Sequence, residues 1–494
     1  MLNELIRRLG APLISPSIEI AGVTHDSRNV KAGDVYIAVK GSQHDGHDYI
    51  HSAVKSGAAA VIVDQSRKTY LLEDGIPGWA VPNTRQVMGD VADIIYNHPT
   101  SNLHVVGVTG TNGKTSTTHI VAHLAKGIFA KTGIIGTLGA FASGIAVPGQ
   151  RTTPEAPELQ QIFSQMVMHS VGAVAIEVAS HALVQGRVNG CLFDAAVFTN
   201  LTQDHLDFHG DMETYFEAKA LLFTEHLLRS VHAGKRPFSV IGLDTVWGLK
   251  LCQLMQGTST FTFSSRENSP ADFIASNINL HSSSTEFDVL YRDKRNRIYL
   301  PLGGAFQVEN ALAALAWFVG AGGSIDAGIE LLRSCPQIPG RFEVVPGEHL
   351  FDVVVDYAHT PDGLENVLST ARDLCRGELS CVFGCGGDRD RSKRPQMGAI
   401  AEKYCDSVFV TSDNPRTENP DAIIGEIIAG MKQAGRVTVE SDRRKAIAMA
   451  VQSANPNDLV VIAGKGHENY QIIGTSVVPF DDRDVASEEL AKCI

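Results

Sequence analysis

The sequence predicts an α/β protein of about three domains built on mostly parallel sheets. Three observations carry that prediction. The chain runs to 494 residues, more than one hydrophobic core can organise. From Leu103 onward, short apolar runs alternate with helical patterns, as strand–helix units around a sheet covered on both faces require. Several of those runs end in polar or charged residues, and open α/β sheets bind ligands at the carboxyl ends of their strands.

Hydrophobic residues at 44 % and charged residues at 20 % are ordinary for a globular chain. A net charge of −13 argues against a general nucleic-acid or membrane-surface binder, since both need a positive field. The start, Met1-Leu2-Asn3-Glu4-Leu5-Ile6-Arg7-Arg8, lacks the apolar stretch of a secretory signal, and no run reaches the length of a membrane span. Eight cysteines show no metal-like spacing, and Cys381 and Cys385 read as buried thiols. The expectation is a reduced, cytoplasmic monomer working on small molecules, with no nucleic-acid or membrane partner.

In the first 98 residues, 17–20 and 34–39 read as strands, 51–57 as a helix end closed by Gly57, and 58–63 as a buried strand. Two polar clusters, Thr24-His25-Asp26-Ser27-Arg28 and the run 41–49 around His44, read as solvated turns more readily than as sites. Residues 97–102, with Pro99, read as a linker. A second boundary falls near Ile338-Pro339-Gly340, so the expected domains are 1–98, 99–337 and 338–494.

The richest stretch follows the linker. The apolar run 105–108 gives way to Thr109-Gly110-Thr111-Asn112-Gly113-Lys114-Thr115-Ser116, and a helical pattern begins at Thr117. Strand, glycine turn and helix are the setting of a phosphate-cradling loop. The backbone N–H groups from Gly110 to Gly113 and the positive end of the helix face the anion. Lys114 reaches the outer phosphates, and the Thr115 hydroxyl can hold Mg²⁺. Val108 stands where the strict motif has glycine. The stretch predicts a nucleoside triphosphate as ligand.

Further strands are expected at 131–137, at 172–181 with a polar end at Ser180-His181, and at 195–200 running into the polar stretch 201–209, with a polar loop Gln150-Arg151-Thr152-Thr153-Pro154-Glu155 and a helix from Ala156. Glu177 ends an otherwise apolar strand, where an unpaired carboxylate is costly and Mg²⁺ would relieve it. His205, beside Asp204 and Asp207, fits a second metal or phosphate site about as well as a helix cap. Lys219 is the one lysine on a helix over 214–223; by itself such a lysine belongs to a solvated face. Residues 258–300 read as an antiparallel extension, and 303–312 lead into an Ala-rich helix. In the last part, four apolar runs enter charged loops at 356–361, 384–390, 411–416 and 464–468. Arg389, Arg416 and Lys465 give those loops positive charge, and arginine suits a two-point grip on a carboxylate.

Taken together, the phosphate loop, Asp204-His205-Leu206-Asp207, Asp356-Tyr357-Ala358-His359-Thr360-Pro361, Gly386-Gly387-Asp388-Arg389-Asp390 and Asp413-Asn414-Pro415-Arg416 resemble the Mur ligases. These are ATP-dependent, amide-forming enzymes of peptidoglycan assembly, and the resemblance covers essentially the whole chain. It implies an N-terminal nucleotide-sugar domain, a central phosphate-loop domain and a C-terminal Rossmann-like domain that binds an amino acid. It also implies an acyl phosphate, formed when a substrate carboxylate attacks the ATP γ-phosphate and then displaced by an incoming amine. By resemblance, Lys114 grips the β- and γ-phosphates, Thr115 and Glu177 hold one Mg²⁺, and His205 holds a second. Lys219 matches a position that the family carbamylates, so it too becomes a metal-site residue. Asn310 and Arg341 match adenine and phosphate contacts and Asp356 a ribose contact, although Phe306-Gln307 stands where His-Asn is more usual. Ser27 and His44 match the uridine end, and Thr152, Thr153, Ser180 and Arg187 the muramoyl and D-glutamyl portions. Arg389, Asp413, Asn414, Pro415, Arg416, Gly464 and Glu468 match the amino-acid site. The loop 413–416 resembles the diaminopimelate-selecting form; lysine-adding relatives usually lack its arginine. Two rivals stand beside this expectation: a sister ligase adding lysine or, as in folylpolyglutamate synthases, glutamate, and a phosphate-loop switch ATPase. The switch ATPase leaves the cationic C-terminal loops without a task.

Overall fold

Parallel strands dominate, as the alternation of apolar runs and helices predicts. The computed structural model describes residues 1–15, 19–41, 44–149, 151–347, 349–432 and 434–493. The chain divides into two compact units, Met1–Phe263 with Ala313–Ile325, and Ser264–Leu312 with Asp326–Ile494.

The first unit holds two sheets. The N-terminal one is four parallel strands in sequential order, Gly22–Thr24, Asp34–Ile37, Ala60–Asp64 and Gly78–Val81. Helices Ile50–Lys55 and Thr84–Ile95 accompany it, the latter capped by Asn83, whose side chain accepts from the Gln86 N–H at 3.2 Å. Of the strand expected at 17–20, Ser17 and Ile18 lie outside the described residues, and Glu19 and Ile20 have no regular structure.

The central sheet runs Thr260–Ser264, Phe238–Gly242, Ala195–Phe198, His104–Thr109, Ala173–Glu177 and Thr132–Gly136, all parallel. Gly139–Ala142 and Ile145–Pro148 then extend it antiparallel. Its middle strands are apolar except at their ends because both faces are covered; Phe163, Phe193, Phe198, Phe216 and Phe223 are among the rings packed there. Register fixes the site. Val108 lies opposite Glu177 and Thr109 opposite Phe198, so the loops after three neighbouring strands open side by side.

The second unit carries the antiparallel strands expected near 258–300, Phe273–Leu280, Thr285–Tyr291 and Lys294–Leu300. Its main sheet orders Glu343–Val344, Asp352–Asp356, Leu459–Ala463, Leu379–Phe383, Ser407–Val410 and Val437–Val439; all but the first are parallel. Leu459–Ala463 lies between two strands that precede it in the chain, a switch in strand order of the kind that leaves a crevice at the carboxyl ends. A hairpin, Tyr470–Ile473 with Ser476–Pro479, follows. Cys381 and Cys385 are buried free thiols, as expected, and burial pushes the Cys385 thiol up to about 12. Among the described residues no helix is long and apolar enough to cross a membrane.

Candidate active site

The phosphate loop forms where predicted, between strand His104–Thr109 and helix Lys114–Ala125. Gly110 has φ +151°, and a Cβ there would lie 1.9 Å from the Thr199 hydroxyl oxygen, so both conformation and space require glycine. Neighbouring strand ends hold the loop. The Asn112 N–H donates to Asn200 Oδ1 at 3.0 Å, and the Thr199 hydroxyl donates to the Asn112 carbonyl at 2.7 Å. Lys114 folds back over the turn, its ammonium donating to the carbonyls of Gly110 at 3.0 Å and Thr111 at 2.7 Å.

Glu177 is 1 % exposed. Its carboxylate accepts from the Thr115 hydroxyl at 3.0 Å, the Thr137 N–H at 2.9 Å and the Thr137 hydroxyl at 3.2 Å. All three donors are neutral, so a cation beside this buried carboxylate would meet a partner that no charged hydrogen bond already holds. Among the described residues no three His, Cys, Asp or Glu side chains gather as a cage. Mg²⁺ does not need one. It commonly takes one or two carboxylates and fills its remaining positions with water and phosphate oxygens, so Thr115 and Glu177 fit it.

Lys219 contradicts the solvated-face reading. It is 1 % exposed, and its ammonium donates to the Gly110 carbonyl at 2.7 Å and lies 4.5 Å from the centre of the Tyr215 ring. Tyr215 and Lys219 stand four apart on helix Met212–Leu221 and so share a face. Burial and then the charge of Lys114 hold the Lys219 amine well below the usual lysine range, against a smaller pull from Asp204. Around it stand three imidazoles. His181 packs edge-on to His205 at 4.8 Å and to His209 at 5.4 Å, and His209 Nε2 lies 2.9 Å from the Ser180 hydroxyl. Burial, then the neighbouring His205, His209 and Arg187, lower His181 to about 4; burial also lowers His205 and His209. All three rings favour the neutral form, the one that can ligate a metal or accept a proton. His205, with φ +54°, heads the short helix Leu206–His209.

A cleft of about 890 Å³ within the first unit is lined by Ser27, Arg28, His44, Tyr49, Arg85 and Arg151, among others. Glu155, 6 % exposed, anchors its cationic side. Arg151 pairs with it, Arg187 Nε lies 3.0 Å from it and Arg85 Nη1 3.3 Å. Arg187 also donates to the Thr153 carbonyl at 3.2 Å, and the Thr153 hydroxyl donates to the Glu177 carbonyl at 2.8 Å. Thr152 meets the Thr137 hydroxyl at 3.1 Å. The Thr152–Thr153 pair therefore bridges the cleft and the buried carboxylate.

In the second unit, Asn310 donates to Gln307 Oε1 at 2.9 Å, so Gln307 directs the amide expected to meet adenine. Asp356 accepts from the N–H groups of Phe342 and Ala358 at 2.7 and 2.8 Å; burial raises its pKa, with Arg341 the largest opposing influence. Arg341 lies 5.0 Å from the centre of the Tyr357 ring. Asp413, Asn414 and Pro415 are buried, Arg416 is half-buried and Arg389 is exposed. Lys465, expected to add positive charge, is fully buried, and its ammonium lies 3.2 Å from Glu468 Oε2, which balances it.

Comparisons with known proteins match three successive segments of the chain. Family models described as "Mur ligase family, catalytic domain", "Mur ligase middle domain" and "Mur ligase, glutamate ligase domain" match residues 19–96, 108–318 and 340–466. The chain belongs to the Mur ligase family. A Gloeobacter violaceus Mur ligase, UDP-N-acetylmuramoyl-L-alanyl-D-glutamate–2,6-diaminopimelate ligase, is 43 % identical over 493 residues, 99 % of this chain and 98 % of its own. A solved structure of an enzyme of that name has TM-score 0.68 at 33 % identity, over 96 % of this chain and 95 % of its own. The MurF ligase of Thermotoga maritima, solved with ADP, shares the fold at TM-score 0.62 and 22 % identity, over 96 % of both chains.

For this Mur ligase, sequence reasoning named Lys114, Thr115 and Glu177, and the structure gathers them around one loop. It brings His205 and Lys219 into the electrostatic neighbourhood of Lys114. Sequence reasoning missed Thr137, Tyr215, His181, His209 and the Arg85–Glu155–Arg151 cluster. His181 and His209 lie within the polar strand endings already singled out; only the rings' convergence was hidden.

Proposed function

We propose that this Mur ligase uses ATP to join meso-diaminopimelate to UDP-N-acetylmuramoyl-L-alanyl-D-glutamate. The observation that carries the reading is the buried Glu177 carboxylate hydrogen-bonded to Thr115 beside Lys114, at the mouth of a phosphate loop. That grouping suits phosphoryl transfer, which depends on positioning and charge neutralisation. The end-to-end likeness to diaminopimelate ligases and the Arg416 loop favour diaminopimelate over lysine as the acceptor.

On this reading the D-glutamyl carboxylate attacks the γ-phosphorus, ADP leaves, and the acceptor amine displaces phosphate from the acyl carbon. Lys114 moves its ammonium from the Gly110 and Thr111 carbonyls to the β- and γ-phosphates. Thr115 and Glu177 would hold one Mg²⁺, and His205 with a carbamylated Lys219 a second; bound there, the ions neutralise phosphate charge. The carbamate forms when the neutral Lys219 amine attacks CO₂ and loses a proton. The low pKa that burial gives Lys219 favours that neutral amine. Asn310, Arg341 and Asp356 serve the nucleotide. Ser27 and His44 serve the uridine end, and Thr152, Thr153, Ser180 and Arg187 the muramoyl dipeptide. Arg389, loop 413–416, Gly464 and Glu468 serve diaminopimelate. The reading puts the enzyme in the cytoplasm as a monomer.

The test is phosphate release with ATP, Mg²⁺ and the UDP-muramoyl dipeptide, comparing meso-diaminopimelate, L-lysine and no amino acid. Turnover should need meso-diaminopimelate. Lysine-dependent turnover would make the enzyme a sister ligase, and turnover without any amino acid would make it an ATPase.

A further inference from the structure

The loop 413–416 is held by side chains and backbone from a later part of the chain. Gln471, buried on the hairpin strand Tyr470–Ile473, donates from Nε2 to the Asp413 carbonyl at 2.6 Å and to the Ser412 hydroxyl at 3.4 Å. The next residue's N–H, that of Ile472, donates to Asn414 Oδ1 at 2.9 Å. The Arg416 N–H then donates to the Ile472 carbonyl at 3.1 Å, and the Gly474 N–H to the Arg416 carbonyl at 2.7 Å. Lys465 closes the set from the other side, 3.3 Å from Asn414 Oδ1, while Asn414 Nδ2 donates to Glu468 at 2.9 Å.

Such a clamp answers a specific need. Arg416 has φ +51°, a conformation that an L side chain adopts only when its surroundings impose it. In that conformation its Nη1 donates to the Gly387 carbonyl at 2.8 Å. Among the described residues its Nε and Nη2 have no partner, so one edge of the guanidinium stays open for a two-point contact with a carboxylate.

We propose that Gln471 and Lys465 are positioning residues for the acceptor amino acid, setting loop 413–416 so that Arg416 meets the acceptor's distal carboxylate. The inference rests on the diaminopimelate reading. Both residues direct their side-chain nitrogens at the loop and its partner Glu468. Removing either one frees the loop and weakens recognition of the amino acid alone.

The experiment uses the full chain with Gln471→Leu, which keeps volume and removes the donor, and the milder Gln471→Asn, together with Lys465→Met. For each, KM is measured separately for meso-diaminopimelate, ATP and the UDP-muramoyl dipeptide, and amide hydrogen exchange is followed across 413–416 and 470–474. The expected result is a KM for meso-diaminopimelate at least tenfold higher, the other two within twofold, and faster exchange confined to those segments. Gln471→Asn should move the same way by less, which keeps the test open if Gln471→Leu does not fold. Equal rises in all three KM values, or an unchanged KM for diaminopimelate, overturn the proposal. A wild-type enzyme that ignores meso-diaminopimelate overturns instead the function on which it rests.

Discussion

The loops at 110–116 and 413–416 both follow buried parallel strands, yet they keep their shapes by opposite means. The phosphate loop is shaped from within: Gly110 supplies the conformation, and the adjoining strand ends supply short hydrogen bonds at Thr199 and Asn200. Loop 413–416 has a non-glycine residue in the left-handed region and is shaped from outside, by Gln471, Ile472 and Lys465. On the proposed reading the first loop binds a phosphate chain through backbone and one lysine, chemistry that tolerates little variation. On the same reading the second selects among amino acids, and a side-chain clamp can be changed without rebuilding the strand that carries the loop.

Four measurements press on this contrast. The largest effect is expected at Lys219, whose ammonium touches the phosphate loop itself. Lys219→Ala should lower turnover by on the order of 10²–10³-fold, and added short carboxylates should restore part of it. Activity without any rescue would remove the carbamate from the reading. Arg416→Ala should cost about 2–5 kcal/mol in recognition of meso-diaminopimelate, seen as a KM raised about thirtyfold or more. ATP binding should not follow, and a parallel rise in its KM would blur the division between the loops. Gly110→Ala places a methyl against Thr199 in a conformation that costs about 1–3 kcal/mol, so thermal stability and ATP binding should fall together.

The smallest effect concerns stability. The folded state holds Lys219 below its ordinary pKa of 10.5, whereas the unfolded chain keeps it charged up to that value. Across the interval between the two, the unfolded state binds more protons, so stability rises with pH. In protein freed of CO₂, so that Lys219 is uncarbamylated, Lys219→Met removes the buried amine and should raise the melting temperature by a few degrees at neutral pH, with the gain shrinking as pH approaches 10. A gain that does not depend on pH would point to packing instead of charge.

Legibility in the sequence follows the same contrast. The parallel sheets, the phosphate loop and Glu177 were readable because each is local: an apolar run, a glycine turn, one acid at a strand end. His205 and Lys219 needed the family resemblance, since a lone lysine on a helix says nothing of the Gly110 carbonyl beneath it. The convergence of His181 and His209, and the gathering of Arg85 and Arg151 with the expected Arg187 around Glu155, could not be read. Their meaning lies in convergence between segments far apart in the chain, as with Arg85 and Arg187 on one carboxylate. Gln471 is the clearest case, because its partner Asp413 lies 58 residues earlier.

The arginines around Glu155 also bear on how a substrate arrives. The whole chain carries −13, but here three guanidiniums share the Glu155 carboxylate, and even with Asp26 and Glu158 in the lining this side of the cleft is less negative than the chain as a whole. An incoming polyanion therefore meets repulsion at long range and guanidiniums at close quarters. At physiological ionic strength the screening length is about 8 Å, short enough to mute the distant repulsion while sparing contacts inside the cleft. Moderate salt should thus speed encounter with a nucleotide-sugar, the reverse of its usual effect on oppositely charged pairs, and only higher salt should slow it.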